Sequence, residues 1–281
     1  LHLCSALWDD PRSSPERPPV VQISYQLYSS RNFGPVDQTL AMLAATGFGA
    51  VEGYPGLYAT PDQASHLRAA LDASGLTMPS GHFSLDMLRD TPGTAIEIAQ
   101  RLGVTHVVAP YLEASQRPVD AAGWTALGNR LGQIGAPLRD AGLTFGWHNH
   151  DFEVADLGGA DRPLDLILAG HEDTLLELDI AWVVRGGDDP LRWIARHGDR
   201  IRAVHIKDIA APGTATDEDG WADPGHGTLD WPTLLNALKD TPCTLLVAEH
   251  DNPSDHVRFA RRALSYLEAT ARARPPLASA S

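Results

Sequence analysis

Side chains that bind metal ions or move protons recur along the chain: Glu52, His82, His148 with His150, Asp179, His205 with Lys207, and Glu249 with His250. Imidazole nitrogens and carboxylate oxygens together form a mixed donor set that suits Mn2+, Co2+, Zn2+, Fe2+ or Mg2+. Imidazoles titrating near pH 6.5 also accept and return protons readily. The densest stretch is His148-Asn149-His150-Asp151. Desolvating such groups without partners costs roughly 2–7 kcal/mol each, so neighbours, water or an ion must satisfy them.

Each of these groups falls near the end of a short apolar or β-branched run. The runs are 20–27, 49–54, 76–82, 105–111, 143–149, 175–180, 201–208 and 245–250. Between them, segments such as 36–47, 61–75 and 255–271 carry apolar residues at three-to-four spacing, the period of an amphipathic helix. Gly47, Gly75, Gly103 and Gly142 stand where left-handed residues close helices. Eight strand-plus-helix units predict a single-domain (β/α)8 TIM barrel over 20–271. Residues 1–19, rich in Pro and Ser, predict a flexible arm, and 272–281 a disordered tail. A doubly wound open sheet is the alternative, but no Gly-rich phosphate fingerprint follows the first strand.

In such a barrel, polar residues at the C-terminal ends of the strands read as chemistry. Side chains alternate along a strand. If Leu176 and Leu178 face the helices, Asp179 points into the mouth. On strand eight, Leu246 and Ala248 turn outward, Glu249 inward, and His250 the other way. Asp179, His205 and Glu249 therefore converge. Singly, the Asp reads as a helix cap, the His as a hydrogen-bonded core residue and the Glu as half of an ion pair. Their convergence on one rim favours a metal.

The motifs QLYSSR (26–31), VEGYPG (51–56), WHNHDFE (147–153), LELDIAWVVRGGDDP (176–190), VHIKD (204–208), GHGTLDW (225–231) and AEHD (248–251) carry a family resemblance. Over residues 20–270 the chain resembles the xylose isomerase-like TIM barrel superfamily, the sugar isomerase/epimerase group that includes inosose dehydratase and endonuclease IV. The resemblance implies one divalent ion held at the ends of strands five to eight by Glu, Asp, His or Gln, and Glu. The last three positions carry over to Asp179, His205 and Glu249. At strand five His148 stands where the epimerases have Glu, and it is expected as the fourth ligand. Glu249, His150 and Lys207 are the expected catalytic residues, with Lys207 either binding a substrate oxygen or pairing with Glu177. Glu52, His82, Trp182 and His226 are expected to bind substrate; Trp147 and Tyr54 could also line a sugar pocket, although aromatics at strand ends more often serve packing. GHGTLDW resembles a loop lying over the site, or else it is a Gly-flanked turn with Asp230 capping a helix.

The expected reaction is metal-dependent isomerisation or epimerisation of a sugar by proton abstraction next to a carbonyl. A metal-bound His148 has no free lone pair, so His150, His82, His226 or Lys207 would return the proton. The alternative is a lyase, dehydrating a keto-inositol or eliminating from a 3-keto-glycoside, which needs one base and one acid. An unphosphorylated ketose or cyclitol is the expected small-molecule partner, and a homo-oligomer is compatible with the sequence.

The formal net charge of −14 disfavours nucleic acid. An endonuclease IV-like nuclease would use several zinc ions, and the rim is short of ligands for them. A non-catalytic carbohydrate-binding barrel would be expected to lose Asp179, His205 and Glu249 as well. Cys4 and Cys243 have no motif spacing, so a reducing cytoplasm is the expected compartment. No apolar run approaches the ~20 residues of a membrane span.

Overall fold

The computed structural model describes residues 21–272. The arm 1–19 and residues 273–281 of the tail lie outside the described residues. The eight predicted runs form parallel strands: β1 (Gln22–Gln26), β2 (Ala50–Gly53), β3 (Thr77–His82), β4 (His106–Ala109), β5 (Thr144–His148), β6 (Thr174–Asp179) and β7 (Ile201–Ile206), then, after an antiparallel ribbon of β8 (Asp208–Ile209) and β9 (Trp221–Ala222), β10 (Leu245–Ala248). The barrel closes in the order β1-β10-β7-β6-β5-β4-β3-β2, with Ile23 opposite Leu246 at the seam. The chain is a (β/α)8 barrel, as its sequence predicts.

Helices α1 (Val36–Thr46), α2 (Pro61–Ser74), α3 (Leu85–Asp90), α4 (Pro92–Leu102), α5 (Ala121–Asp140), α6 (Pro163–Ala169), α7 (Ile180–Arg185), α8 (Pro190–His197), α9 (Trp231–Ala237) and α10 (His256–Arg272) surround it. Thr60 and Gln63 form a reciprocal capping box at the start of α2. Gly47 (φ 113°) and Gly103 (φ 78°) end α1 and α4 in the left-handed conformation that the sequence suggests. Two crossovers hold two helices instead of one. Pro92 and Pro190 restart the chain as first-turn residues, because proline costs a hydrogen bond inside a helix but suits the start of one.

The outward faces of the strands pack Val51, Phe145, Trp147, Leu176, Leu178 and Val204 against the helix layer. Burying each such side chain contributes about 1.5–3 kcal/mol. Inside the barrel, the foot is small and apolar: Ala203, Leu245 and Val247 form their own cluster, and register places Ser24 beside Val247 and Ala50. Among the described residues no helix is long and apolar enough to cross a membrane.

Candidate metal centre

Register carries polar side chains from the foot to the mouth. Asp179 lies opposite His205, and His205 opposite Val247, two residues before Glu249. Cα partners in a parallel pair point to the same face, so Asp179, His205 and Glu249 meet inside, with donor atoms within 4.8 Å of one another. His205 Nδ1 is 2.8 Å from Glu249 Oε2 and 3.8 Å from Asp179 Oδ2. Asp179 performs both jobs that its position allows. Its Oδ1 accepts the Trp182 backbone N–H at 2.9 Å and caps α7, while Oδ2 is buried without a hydrogen bond. His250 turns away, as expected, with its ring against Phe259.

Behind His205, Nε2 donates to Glu52 Oε1 at 2.8 Å. Glu52 is itself held by Gln26 Nε2 at 2.8 Å and by the Ser80 hydroxyl. A carboxylate accepting the second ring N–H orients the ring so that Nδ1, here hydrogen-bonded to Glu249, is the nitrogen that would give up its proton to an ion. Glu52, expected to bind substrate, is thus fully buried and engaged in orienting His205.

His148 lands elsewhere. It lies opposite Glu177, one layer below Asp179, and joins His82, Glu177 and His205 in a second cluster whose donor atoms also lie within 4.8 Å of one another. Glu177 Oε2 is the hub, 2.6 Å from His82 Nε2, 3.1 Å from His148 Nδ1 and 3.2 Å from His205 Nε2. The expected quartet is therefore divided between two groups that share His205. His82 is held in place from the segment between β2 and α2: the Tyr58 hydroxyl donates to the His82 carbonyl at 2.7 Å. That ring occupies space that a Cβ at Gly53 or Gly81 would invade, 2.5 and 2.8 Å from Tyr58 atoms.

Lys207 does not pair with Glu177. Its Nζ lies 3.2 Å from Asp179 Oδ2, 2.9 Å from Glu249 Oε2 and 2.9 Å from Asp251 Oδ2, because Glu177 sits deeper, opposite Ala203. The ammonium also lies 4.6 Å from the Trp221 ring centre. Asp251 and Trp221 at the mouth and Glu177 one layer below it are the residues that sequence reasoning did not assign to the site.

Burial and neighbours together set the charges. Desolvation pushes Glu249 up, but Lys207 and His205 hold it well below the usual carboxylate range. Glu177 is likewise held well below that range by His205 and His82 against desolvation. His205 loses by burial and gains more from Glu177 and Glu249, ending well above the usual imidazole range. Desolvation and His205 push His148 down to about 3, leaving a neutral ring able to bind a metal. Desolvation raises Asp179 to about 6 against the pull of Lys207.

His150 sits at the opening, its ring centre 5.1 Å from Tyr111, 5.3 Å from Trp182 and 5.9 Å from Phe152. Burial, then His148 and Lys207, keep it neutral, and its Nδ1 has no partner. Trp182 is half-buried beside it. Tyr54 lies at the edge of Tyr28 on the β1–β2 side. Trp147 takes the packing role: it is fully buried and faces the helices, donating Nε1–H to Glu153 Oε1 at 3.0 Å. His226 is exposed on a loop that Asp208 anchors through the N–H groups of Gly225, Gly227 and Leu229, and Asp230 caps α9.

The donor set fits a divalent ion. Two carboxylates and an imidazole converge, Asp179 Oδ2 being buried with only the ion pair to Lys207, and such oxygen and nitrogen donors suit Mn2+, Co2+, Zn2+ or Fe2+.

The chain is similar to the rhizopine catabolism protein MocC of Rhizobium meliloti, 24% identical over 241 residues, covering 74% of this chain and 71% of that protein. It is 24% identical over 166 residues to the inosose dehydratase of Lacticaseibacillus casei, covering 52% of this chain and 54% of the relative, so it spans about half the length of that protein. A sugar phosphate isomerase/epimerase structure from Parabacteroides distasonis shares the fold, with TM-score 0.72, 18% identity and coverage of 92% and 96%. So does an IolI structure with a bound zinc atom, with TM-score 0.65, 18% identity and coverage of 89% and 96%. Residues 40–270 match the family model for xylose isomerase-like TIM barrels, and the chain belongs to that family.

Proposed function

We propose that the chain is a metal-dependent enzyme that removes a proton next to the carbonyl of a keto-sugar or cyclitol and then expels a β-hydroxyl as water. The observation that carries this reading is the convergence of Asp179 Oδ2, His205 Nδ1 and Glu249 Oε2 at the strand ends. A divalent ion held by these three supplies Lewis-acid polarisation of the substrate carbonyl. Glu249, paired with His205 and Lys207, serves better as a ligand than as a base. Lys207, held charged by three carboxylates, donates a hydrogen bond to oxygen that gains negative charge. His150, neutral and with Nδ1 unpartnered, takes the α-proton and returns it to the departing hydroxyl. The proton count closes on one imidazole.

Isomerisation or epimerisation, the expectation from sequence, begins with the same abstraction. It requires a second group to deliver the proton to a new position, and His148 at the β5 exit is turned toward Glu177. The inosose dehydratases among the relatives support elimination. The test is mass analysis of the product from a keto-inositol with metal-loaded protein. The expected product is one water lighter, and His150→Gln slows its formation by about 100-fold or more. A product of unchanged mass with a rearranged carbonyl would replace elimination by isomerisation.

A further inference from the structure

Asn149 stands between His148 and His150 at the β5 exit, and its side chain is fully buried. The ladder between β5 and β6 ends there, with His148 opposite Glu177. Two residues further, the same register would set His150 opposite Asp179, and the β5 main chain would bond the Asp179 N–H and C=O. Instead the chain leaves the sheet, and the Asn149 side chain makes both bonds. Its Nδ2 donates to the Asp179 carbonyl at 3.1 Å, and its Oδ1 accepts the Asp179 N–H at 3.0 Å. A carboxamide can do this because it carries a donor and an acceptor side by side, as a peptide group does. Buried main-chain groups are almost always paired, so without the amide Asp179 would be left with two orphans.

We propose that Asn149 is a positioning residue, its carboxamide replacing the peptide that β5 withdraws, so that one side chain holds Asp179 in its ligand orientation and releases His150 to the mouth. Asp179 is then fixed at three points, because its Oδ1 also accepts the Trp182 N–H at 2.9 Å. Oδ2 is left facing Lys207 at 3.2 Å and His205 Nδ1 at 3.8 Å. On the other side of Asn149, Glu153 Oε2 accepts the His150 N–H at 2.8 Å and turns the chain off the strand. The His150 ring thereby reaches Tyr111 and Trp182 at the opening. Asn149 ties the residue that carries the base to the residue that carries the ligand, and so sets the separation between them.

The proposal rests on the reading of Asp179 as a ligand and His150 as the base, and the experiment separates its failure from theirs. The full chain is loaded with Co2+, and its visible absorption, its affinity by chelator competition and its kinetics on a keto-inositol at saturating metal are compared with those of Asn149→Ala. Asn149→Leu, which keeps most of the volume, guards against a variant that fails to fold, and circular dichroism reports folding. Leu245→Ala at the foot is the control for a destabilised barrel. We expect altered Co2+ bands and about 10–100-fold weaker metal binding in the Asn149 variants. Their kcat should fall about 10–100-fold with KM unchanged, as for a displaced reacting group. Leu245→Ala should keep the wild-type bands and affinity. Folded Asn149 variants with wild-type bands, affinity and kcat, or bands altered equally in Leu245→Ala, would overturn the positioning role and leave the metal reading standing. A wild-type chain that binds no Co2+ would overturn both.

Discussion

The foot and the mouth of this barrel are built on the same strands with the same alternation, yet they hold opposite contents. At the foot, Ala203, Leu245 and Val247 meet in a small apolar cluster beside Ser24 and Ala50. Two residues further along the same strands stand His205 and Glu249. The foot gains stability from burial, whereas the mouth buries charge at a cost that packing elsewhere offsets. The comparison shows how one scaffold separates folding from chemistry by strand depth alone.

The largest effect should come from breaking the mouth. Asp179→Asn keeps the side-chain oxygen that caps α7 but removes a ligand charge. We expect kcat/KM to fall more than about 100-fold, beyond the 10–100-fold typical of groups behind the ligands, with no loss in the urea midpoint. At the foot, Leu245→Ala should do the reverse. Deleting this buried side chain should lower stability by about 2–5 kcal/mol in urea denaturation, while metal content per folded molecule stays at the wild-type level. A foot variant that lost metal would end the separation.

Smaller changes sharpen the boundary between them. Glu52→Gln weakens the acceptor behind His205 Nε2, and metal affinity at the mouth, read by chelator competition, should drop about 10–100-fold. Glu153 tests a buried carboxylate outside the ion cluster. Desolvation raises it to about 8 although the His150 backbone N–H and the Trp147 ring N–H donate to it. Its folded-state pKa therefore lies above its unfolded value. Between the two the folded chain holds the extra proton, so stability falls as pH rises through that window, by about 1.4 kcal/mol per unit. Glu153→Gln should lack that slope when urea midpoints at pH 6 and 7 are compared with those of the wild type.

Much of this was legible in the sequence. The strand runs, the helices near 36–47, 61–75 and 255–271, and the inward turn of Asp179 and Glu249 follow from periodicity, which encodes facing directly. Depth is not encoded that way. His148 and Asp179 both face inward, yet register places His148 opposite Glu177. The β6–β7 pairing also shifts between Leu176 and Glu177, a displacement that tertiary closure of the barrel decides. Glu177 could have been found, since it shares a face with Asp179. Asp251 stood in the AEHD motif one step past His250. Trp221 could not be placed, because a two-residue ribbon strand is too short to show alternation.

The most direct measurement follows a keto-inositol by nuclear magnetic resonance on the metal-loaded chain before and after chelation. The account predicts that the hydrogen on the carbon next to the carbonyl is lost as the product lacking one water forms, that both stop on chelation and in Asp179→Asn, and that added metal restores both to the wild type. Loss of that hydrogen that persists without metal, or no loss with any of Mn2+, Co2+, Zn2+, Fe2+ or Mg2+, would contradict it.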